Sequence, residues 1–175
     1  MTDQTALLLL VKSFKDQTIS EFQFYRELTE TITLSLQCSR TSLWLYADNQ
    51  LNKIVAVDLF DSNQQQHYAG MVLEQRDFAA YFQAMREHGL INASDAMTHP
   101  ATHCLAEQYF QPNGIVSLLD VGIYIEDELV GMFCCEHVGS PMHWTLSQRT
   151  YLEQAGKLIT FALKPHLQEK YAAIF

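Results

Sequence analysis

Two cysteines, a glutamate and a histidine stand side by side in VGMFCCEHVG, Val130 to Gly139, at the end of an otherwise apolar run. Such donors can hold a metal, and a thiol beside an imidazole can act as a nucleophile. An extended chain alternates its side chains, so Met132, Cys134 and Glu136 point one way and Phe133, Cys135 and His137 the other. The two cysteines therefore do not share a ligand. Burial in an apolar strand also raises a thiol's pKa and suppresses its reactivity. Cys38 and Cys104 make no C-x-x-C pair with them, so a structural zinc site is not expected. His137 keeps two readings, a pocket wall or a strand-end residue hydrogen-bonded to backbone.

A second group of donors is His99, His103 and Cys104. Two imidazoles four residues apart share one helical face, but Pro100 makes His99 non-helical and leaves His103 near the third position of a helix. The expected role is a polar helix start at the rim of a pocket; ligation of haem or metal together with His137 needs this loop to fold over the sheet. Ser117, Asp120 and His137 supply the types of a hydrolytic triad without a nucleophile elbow, and no glycine loop cradles a phosphate. Asp120, inside a strand, is either a pocket acceptor or a residue facing solvent or capping a neighbour. Phe78, Tyr81, Phe82 and Met85 have plain amphipathic spacing and read as core, while Tyr68 or Tyr81 can offer a hydroxyl to a ligand.

Composition limits the function these groups can serve. The chain has 175 residues, 48% of them hydrophobic and 18% charged, which predicts one globular domain able to bury a core without disulfides. Eleven Lys and Arg against twenty Asp and Glu give a net charge of -9 and speak against an extended contact with nucleic acid. The five apolar residues Leu7 to Val11 lack a basic lead-in and the length of a membrane span, so a cytoplasmic protein with reduced cysteines is expected.

The elements follow from periodicity. Leu7, Leu10, Val11 and Phe14, then Phe22, Tyr25, Leu28, Ile32 and Leu36, predict two helices or one bent helix, the second starting at Ser20 and Glu21. Leu43 and Leu45, then Ile54, Val55, Val57 and Leu59, predict a hairpin about the turn at Ala47 to Gln50. A polar loop from Asp61 to His67 leads to an apolar piece at Met71 to Leu73, and a helix through Phe78 and Met85 stops at Gly89. Leu90 to Ala93 is a brief strand, Asp95 to Pro100 a loop, and Ala101 to Phe110 a helix ended by Pro112 and Gly114. Ile115 to Ile125 and Leu129 to His137 form a long hairpin around an acidic turn. Thr145 and Gln148 make a capping box for a last helix carrying Leu152, Ala155, Ile159 and Ala162 on one face. The order predicts an α+β domain, an antiparallel sheet with helices on its faces.

That order, with RTSLWLYADNQL (Arg40 to Leu51), HYAGMVLEQRDFAAYFQAM (His67 to Met85), GIVSLLDVGIYIEDELVGMFCCEHVG (Gly114 to Gly139) and HWTLSQRTYLEQAGKLITFAL (His143 to Leu163), resembles the GAF domain, a relative of the PAS fold. The resemblance spans about residues 18–163, with 1–17 as an N-terminal helical extension and 164–175 as a C-terminal helix or linker. It implies N- and C-terminal helices on one sheet face and, on the other, a segment enclosing a small-molecule pocket. The module implied is regulatory, often dimeric through its terminal helices, with its ligand and any cofactor left open.

The last strand is similar to that of phytochrome GAF domains, which implies a pocket-facing His137 and puts Tyr109 on a tyrosine of their pattern. Their bilin cysteine is followed by histidine, whereas here His103 precedes Cys104, which speaks against covalent bilin. Gly122 stands where a proline is frequent. The asparagine, lysine, phenylalanine and aspartate signature of cyclic-nucleotide-binding relatives is missing. GAF enzymes that reduce free methionine sulfoxide set their cysteines in glycine- and proline-rich loops, unlike Cys134 and Cys135. The candidate ligand-binding residues are Tyr68, Tyr81, Phe82, Asp95, His99, His103, Cys104, Tyr109, Leu119, Asp120, Cys135 and His137, with no catalytic residue and no metal. A non-catalytic small-molecule sensor is expected, a homodimer, with a fused or separate output domain possible. The alternatives are a ligand-free dimerisation or interaction module with a filled core, or a thiol or haem redox protein.

Overall fold

The computed structural model describes residues 4–48 and 50–171. Two helices, α1 (Thr5–Lys15) and α2 (Glu21–Leu36), precede the first strand and are separated by a turn in which Gln17 is left-handed, at φ 57°. Ser20 caps α2 reciprocally with Gln23: Gln23 N donates to Ser20 Oγ at 3.2 Å, and Ser20 N donates to Gln23 Oε1 at 3.0 Å. The partner is the residue three positions on, not Glu21.

The strands are β1 (Arg40–Tyr46), β2 (Lys53–Asp61), β3 (Gln66–Tyr68), β4 (Val72–Glu74), β5 (Leu90–Ala93), β6 (Ile115–Ile125) and β7 (Glu128–Val138). They form one antiparallel sheet in the order β3-β2-β1-β7-β6-β5, with β4 on the far half of β2. The polar loop expected at Asp61 to His67 is therefore a tight turn into an edge strand. Between β4 and β5 lies α3 (Ala79–His88), closed by Gly89 at φ 60°. The expected helix at Ala101 to Phe110 is instead a 3-10 turn, His103–Leu105, a π turn, Ala106–Phe110, and a short α4, Gln111–Asn113. Pro112 does not end it, because proline is tolerated in a first helical turn, where its N–H has no partner to lose. In β7, a side chain at Gly131 would collide with the Trp44 carbonyl of β1, so only glycine allows this pairing.

The last helix, α5 (Leu146–Tyr171), starts with the expected box, in which Gln148 N donates to Thr145 Oγ1 at 3.2 Å and Thr145 N donates to Gln148 Oε1 at 2.8 Å. Gln148 Nε2 also donates to Leu36 O at 2.9 Å, satisfying a carbonyl that the end of α2 leaves unpaired.

One sheet face, with Leu43, Leu45, Leu119, Val121, Phe133 and Cys135, packs under α2 and α5, and α1 lies across both helices. Leu7, Leu10, Val11 and Phe14 are spent in this core and are not available to a partner copy; among the described residues, the large apolar side chains left exposed on α1 and α5 are Leu8, Leu9, Leu146 and Phe161. The opposite face, with Trp44, Tyr46, Leu118, Met132 and Cys134, packs under α3 and the turns that follow it. The sequence offers the apolar surface of the helix reaching Phe161 to Phe175 to a partner copy, and of that stretch residues 172–175 lie outside the described residues. No helix among the described residues is long and apolar enough to cross a membrane.

Candidate functional site

Pairing of β6 with β7 sets Asp120 opposite Cys134 and Leu118 opposite Glu136, and pairing of β7 with β1 sets Glu136 opposite Arg40. Alternation then sends all five side chains to the α3 side of the sheet. Tyr81 reaches them from α3 and Tyr109 from the π turn. The Tyr81 hydroxyl donates to Asp120 Oδ2 at 2.5 Å and sits 3.5 Å from Cys134 Sγ. Arg40 Nε lies 3.2 Å from Glu136 Oε2 and 3.8 Å from Asp61 Oδ2. The Tyr109 hydroxyl meets Glu136, and the Arg40 guanidinium stands 5.9 Å from the Tyr109 ring centre. Asp120 and Glu136 are 0% and 1% exposed, and Asp120 Oδ1 has no hydrogen-bond partner.

Burial dominates the electrostatics. It pushes the Asp120 carboxyl up to about 8, against the opposing hydrogen bond from Tyr81. It raises Glu136 as well, with Arg40 and Tyr109 pulling the other way. The Cys134 thiol is raised first by burial and then by Asp120, so it is held protonated and is no nucleophile. Burial works against the Arg40 charge, and Glu136, Tyr109 and Asp61 together outweigh it.

Tyr81, Tyr109, Leu118, Asp120, Cys134 and Glu136 line a cavity of about 10 Å³, also walled by Trp44, Leu73, Leu105 and Phe110. That is about the space of one water molecule. Leu73 and Tyr109 separate it from an outer groove of about 410 Å³ between β4 and the π turn. A wider groove of about 520 Å³ lies elsewhere, between the β5–β6 edge and α5. Its charged pair Arg149–Glu153, at 2.8 Å, is partly exposed, and no buried unpaired polar atom among the described residues lines it, unlike the internal cluster.

Of the expected ligand-binding residues, the structure brings Tyr81, Tyr109 and Asp120 together. Phe82 is buried beside them in the core, 6.3 Å from the Tyr46 ring and 6.0 Å from that of Tyr81. Cys104, half-buried, packs against the same core from the 3-10 turn. Asp95 instead shapes an exposed turn, accepting from Met97 N at 3.1 Å and Thr98 Oγ1 at 2.8 Å. His99 Nδ1 accepts from Ala101 N at 3.2 Å, and His103 Nδ1 is 2.9 Å from Pro100 O, so both imidazoles serve local turns. Tyr68 is exposed on edge strand β3 and donates to Gln64.

Leu119, Cys135 and His137 lie on the opposite face from the cavity, the correction that matters most. Leu119 and Cys135 are core beneath the helices, and His137 Nδ1 is 3.4 Å from Ser39 Oγ. The thiol that Cys135 meets is Cys38, with Thr41 Oγ1 at 3.7 Å, and not Cys134. Arg40 is a member of this cluster that the sequence reading does not name, while Cys134 and Glu136 are weighed there as donors and left out of the candidate set. The signal for Glu136 was present: it shares strand parity with Cys134, the residue opposite Asp120. Among the described residues no group of three or more His, Cys, Asp or Glu side chains is placed to hold a metal.

The GAF domain family model matches residues 23–163, and the chain belongs to that family. No curated protein sequence matches it. Among solved structures, the GAF domain of an Acinetobacter phosphoenolpyruvate-protein phosphotransferase superposes with a TM-score of 0.70 at 11% identity, covering 91% of this chain and 90% of that one. The blue-light-absorbing PixJ GAF domain of Thermosynechococcus elongatus gives 0.67 at 18% identity over 93% and 95%. A free methionine-R-sulfoxide reductase from Neisseria meningitidis, solved with its substrate, gives 0.70 at 13% over 95% and 90%. At such identities the likeness is one of fold, and it spans a phosphotransferase domain, a light receptor and an enzyme.

Proposed function

We propose that this GAF domain is a cytoplasmic, non-catalytic sensory or regulatory module. It binds a small organic molecule on the α3 side of the sheet and passes the result through its terminal helices to an output domain, fused or separate. The observation that carries this reading is the burial of Asp120 and Glu136, with Tyr81 and Tyr109, in the wall of one cavity, and of Arg40 beside Glu136. An apolar core of equal volume is as stable or more so, and perturbed ionisable groups gather at functional sites, so their presence here supports binding. Tyr81, Tyr109 and Asp120 are the proposed ligand contacts. Signalling requires the ligand to favour one arrangement of α1 and α5 over another. A homodimer through these helices covers Leu8, Leu9 and Phe161, which are 52%, 60% and 63% exposed. A sedimentation profile that stays monomeric at high micromolar concentration counts against it.

One observation favours a second reading, a ligand-free interaction module: the cavity holds only about 10 Å³. Native and denaturing mass spectra with an absorption scan test both, and they expose a haem or a covalent chromophore as well. A retained small molecule, or a stabilising hit in a thermal-shift screen of metabolites, supports the sensor. Blank spectra and a flat screen leave the interaction module.

A further inference from the structure

We infer that the cavity behind Tyr109 is a site for a small protonated amine with an apolar body, its ammonium group hydrogen-bonded to Asp120 Oδ1 and its body against Trp44, Tyr109 and Phe110. This rests on the sensory reading above and names its ligand class. Asp120 Oδ1 is fully buried without a hydrogen-bond partner, in a wall of the cavity, and becomes an acceptor when the carboxyl gives up its proton. Tyr81 has a single proton to give and donates it to Oδ2. Arg40, the one buried cation at this site, is ion-paired with Glu136 and Asp61, and the other buried polar atoms here without a hydrogen-bond partner, Arg40 Nε, Glu136 Oε2 and the Tyr109 hydroxyl, gather around that pair. A donor from outside the protein completes the set.

Charge points the same way. Asp61, Asp120 and Glu136 outnumber the one guanidinium once Asp120 is ionised, so a ligand cation can replace the proton that Asp120 otherwise holds, whereas an anion cannot. Trp44, Tyr81 and Tyr109 line the cavity, and an aromatic ring attracts a cation placed over its face. The net charge of -9 draws cations and repels anions at long range. Room comes from the outer groove of about 410 Å³, which joins the cavity when Leu73 and Tyr109 move aside. Both sit on weakly held elements, a three-residue edge strand and a π turn, of the kind that opens at low free energy. Burial lifts Asp120 to about 8, so below about pH 7 it holds a proton in the empty site, and ammonium binding there releases it.

The test titrates the whole chain with three probes sharing one apolar body: phenethylammonium, 2-phenylethanol and 3-phenylpropanoate. Calorimetry in two buffers of different ionisation enthalpy counts protons, and amide shifts locate the site. At about pH 8.5 the ammonium is expected to bind about tenfold tighter than the alcohol, with the carboxylate weakest. Amides near Tyr109 and Asp120 shift, and below about pH 7 binding is accompanied by proton release. Asp120→Asn, close to isosteric, is expected to abolish the preference; the ammonium-to-alcohol ratio of the unaltered protein decides the matter if that variant does not fold. Equal or tighter binding of the alcohol or the carboxylate at these amides overturns the amine assignment and leaves the sensory reading standing. Absence of binding by all three at millimolar concentration, or shifts confined to other residues, also overturns it, while the mass spectra and metabolite screen judge the sensory reading separately.

Discussion

The Tyr81 hydroxyl donates to Asp120 Oδ2 across 2.5 Å, joining α3 to the centre of β6 between residues 39 apart in sequence. Its removal leaves a buried carboxyl without its strongest donor. Tyr81→Phe is expected to lose about 1–3 kcal/mol of stability, seen as a lower urea midpoint at unchanged slope. A variant as stable as the parent contradicts a structural role for this bond.

Asp120 is packed against Tyr81 from α3 and against Cys134 and Glu136 from β7, and burial lifts it from its ordinary 3.8 to about 8. The folded chain keeps a proton that the unfolded chain gives up. This contribution is complete below about pH 4 and is lost as pH rises through about 8. Unfolding free energy should therefore fall more between about pH 5 and pH 8.5 in the parent than in Asp120→Asn. Equal slopes in the two proteins refute the buried carboxyl.

Arg40 and Glu136 form a buried pair at 3.2 Å. Arg40→Met strands the carboxyl and is expected to cost about 3–5 kcal/mol. Arg40→Met with Glu136→Leu removes both charges and should recover most of that loss in the same denaturant titration.

His67 ties the β2–β3 edge to α2. Its Nδ1 is 2.9 Å from Asp58 Oδ2 and its Nε2 is 2.7 Å from Glu30 Oε1, while Thr29 Oγ1 donates to Asp58 Oδ2 at 2.5 Å. His67→Ala is expected to cost about 1–3 kcal/mol and to speed amide exchange at β3 more than at β6. Uniform exchange across the sheet argues against a local tie.

Cys38, Cys134 and Cys135 are 6%, 5% and 0% exposed, whereas Cys104 is half-buried. Under native conditions one thiol should react promptly with Ellman's reagent, and Cys104→Ser should remove that phase. Prompt reaction of a second thiol shows that a buried cysteine is reached by local opening.

The helix start at Ser20, the Thr145–Gln148 box and the long hairpin were legible in sequence because they depend on neighbours, β6 meeting β7 across a two-residue turn, whereas the pairing of Ser20 with Gln23 was not. β3 and β4 were not, since three-residue edge strands hold through backbone bonds to β2 and need no apolar period. The segment from Ala101 to Phe110 read as a regular helix because composition does not distinguish an α turn from the 3-10 and π turns that carry Tyr109 to the cavity.

The chain by itself determined the family, the α+β class and the parity of each strand, because alternation and capping are local consequences of backbone geometry. It placed Cys134 and Glu136 on one face and Cys135 and His137 on the other. Tertiary structure decided which of those faces meets α3 and which meets α2 and α5, because that choice rests on packing between elements far apart in sequence. Through it His137 lies beside Ser39, Cys135 beside Cys38, and Asp120 beneath Tyr81, on the face that holds the cavity.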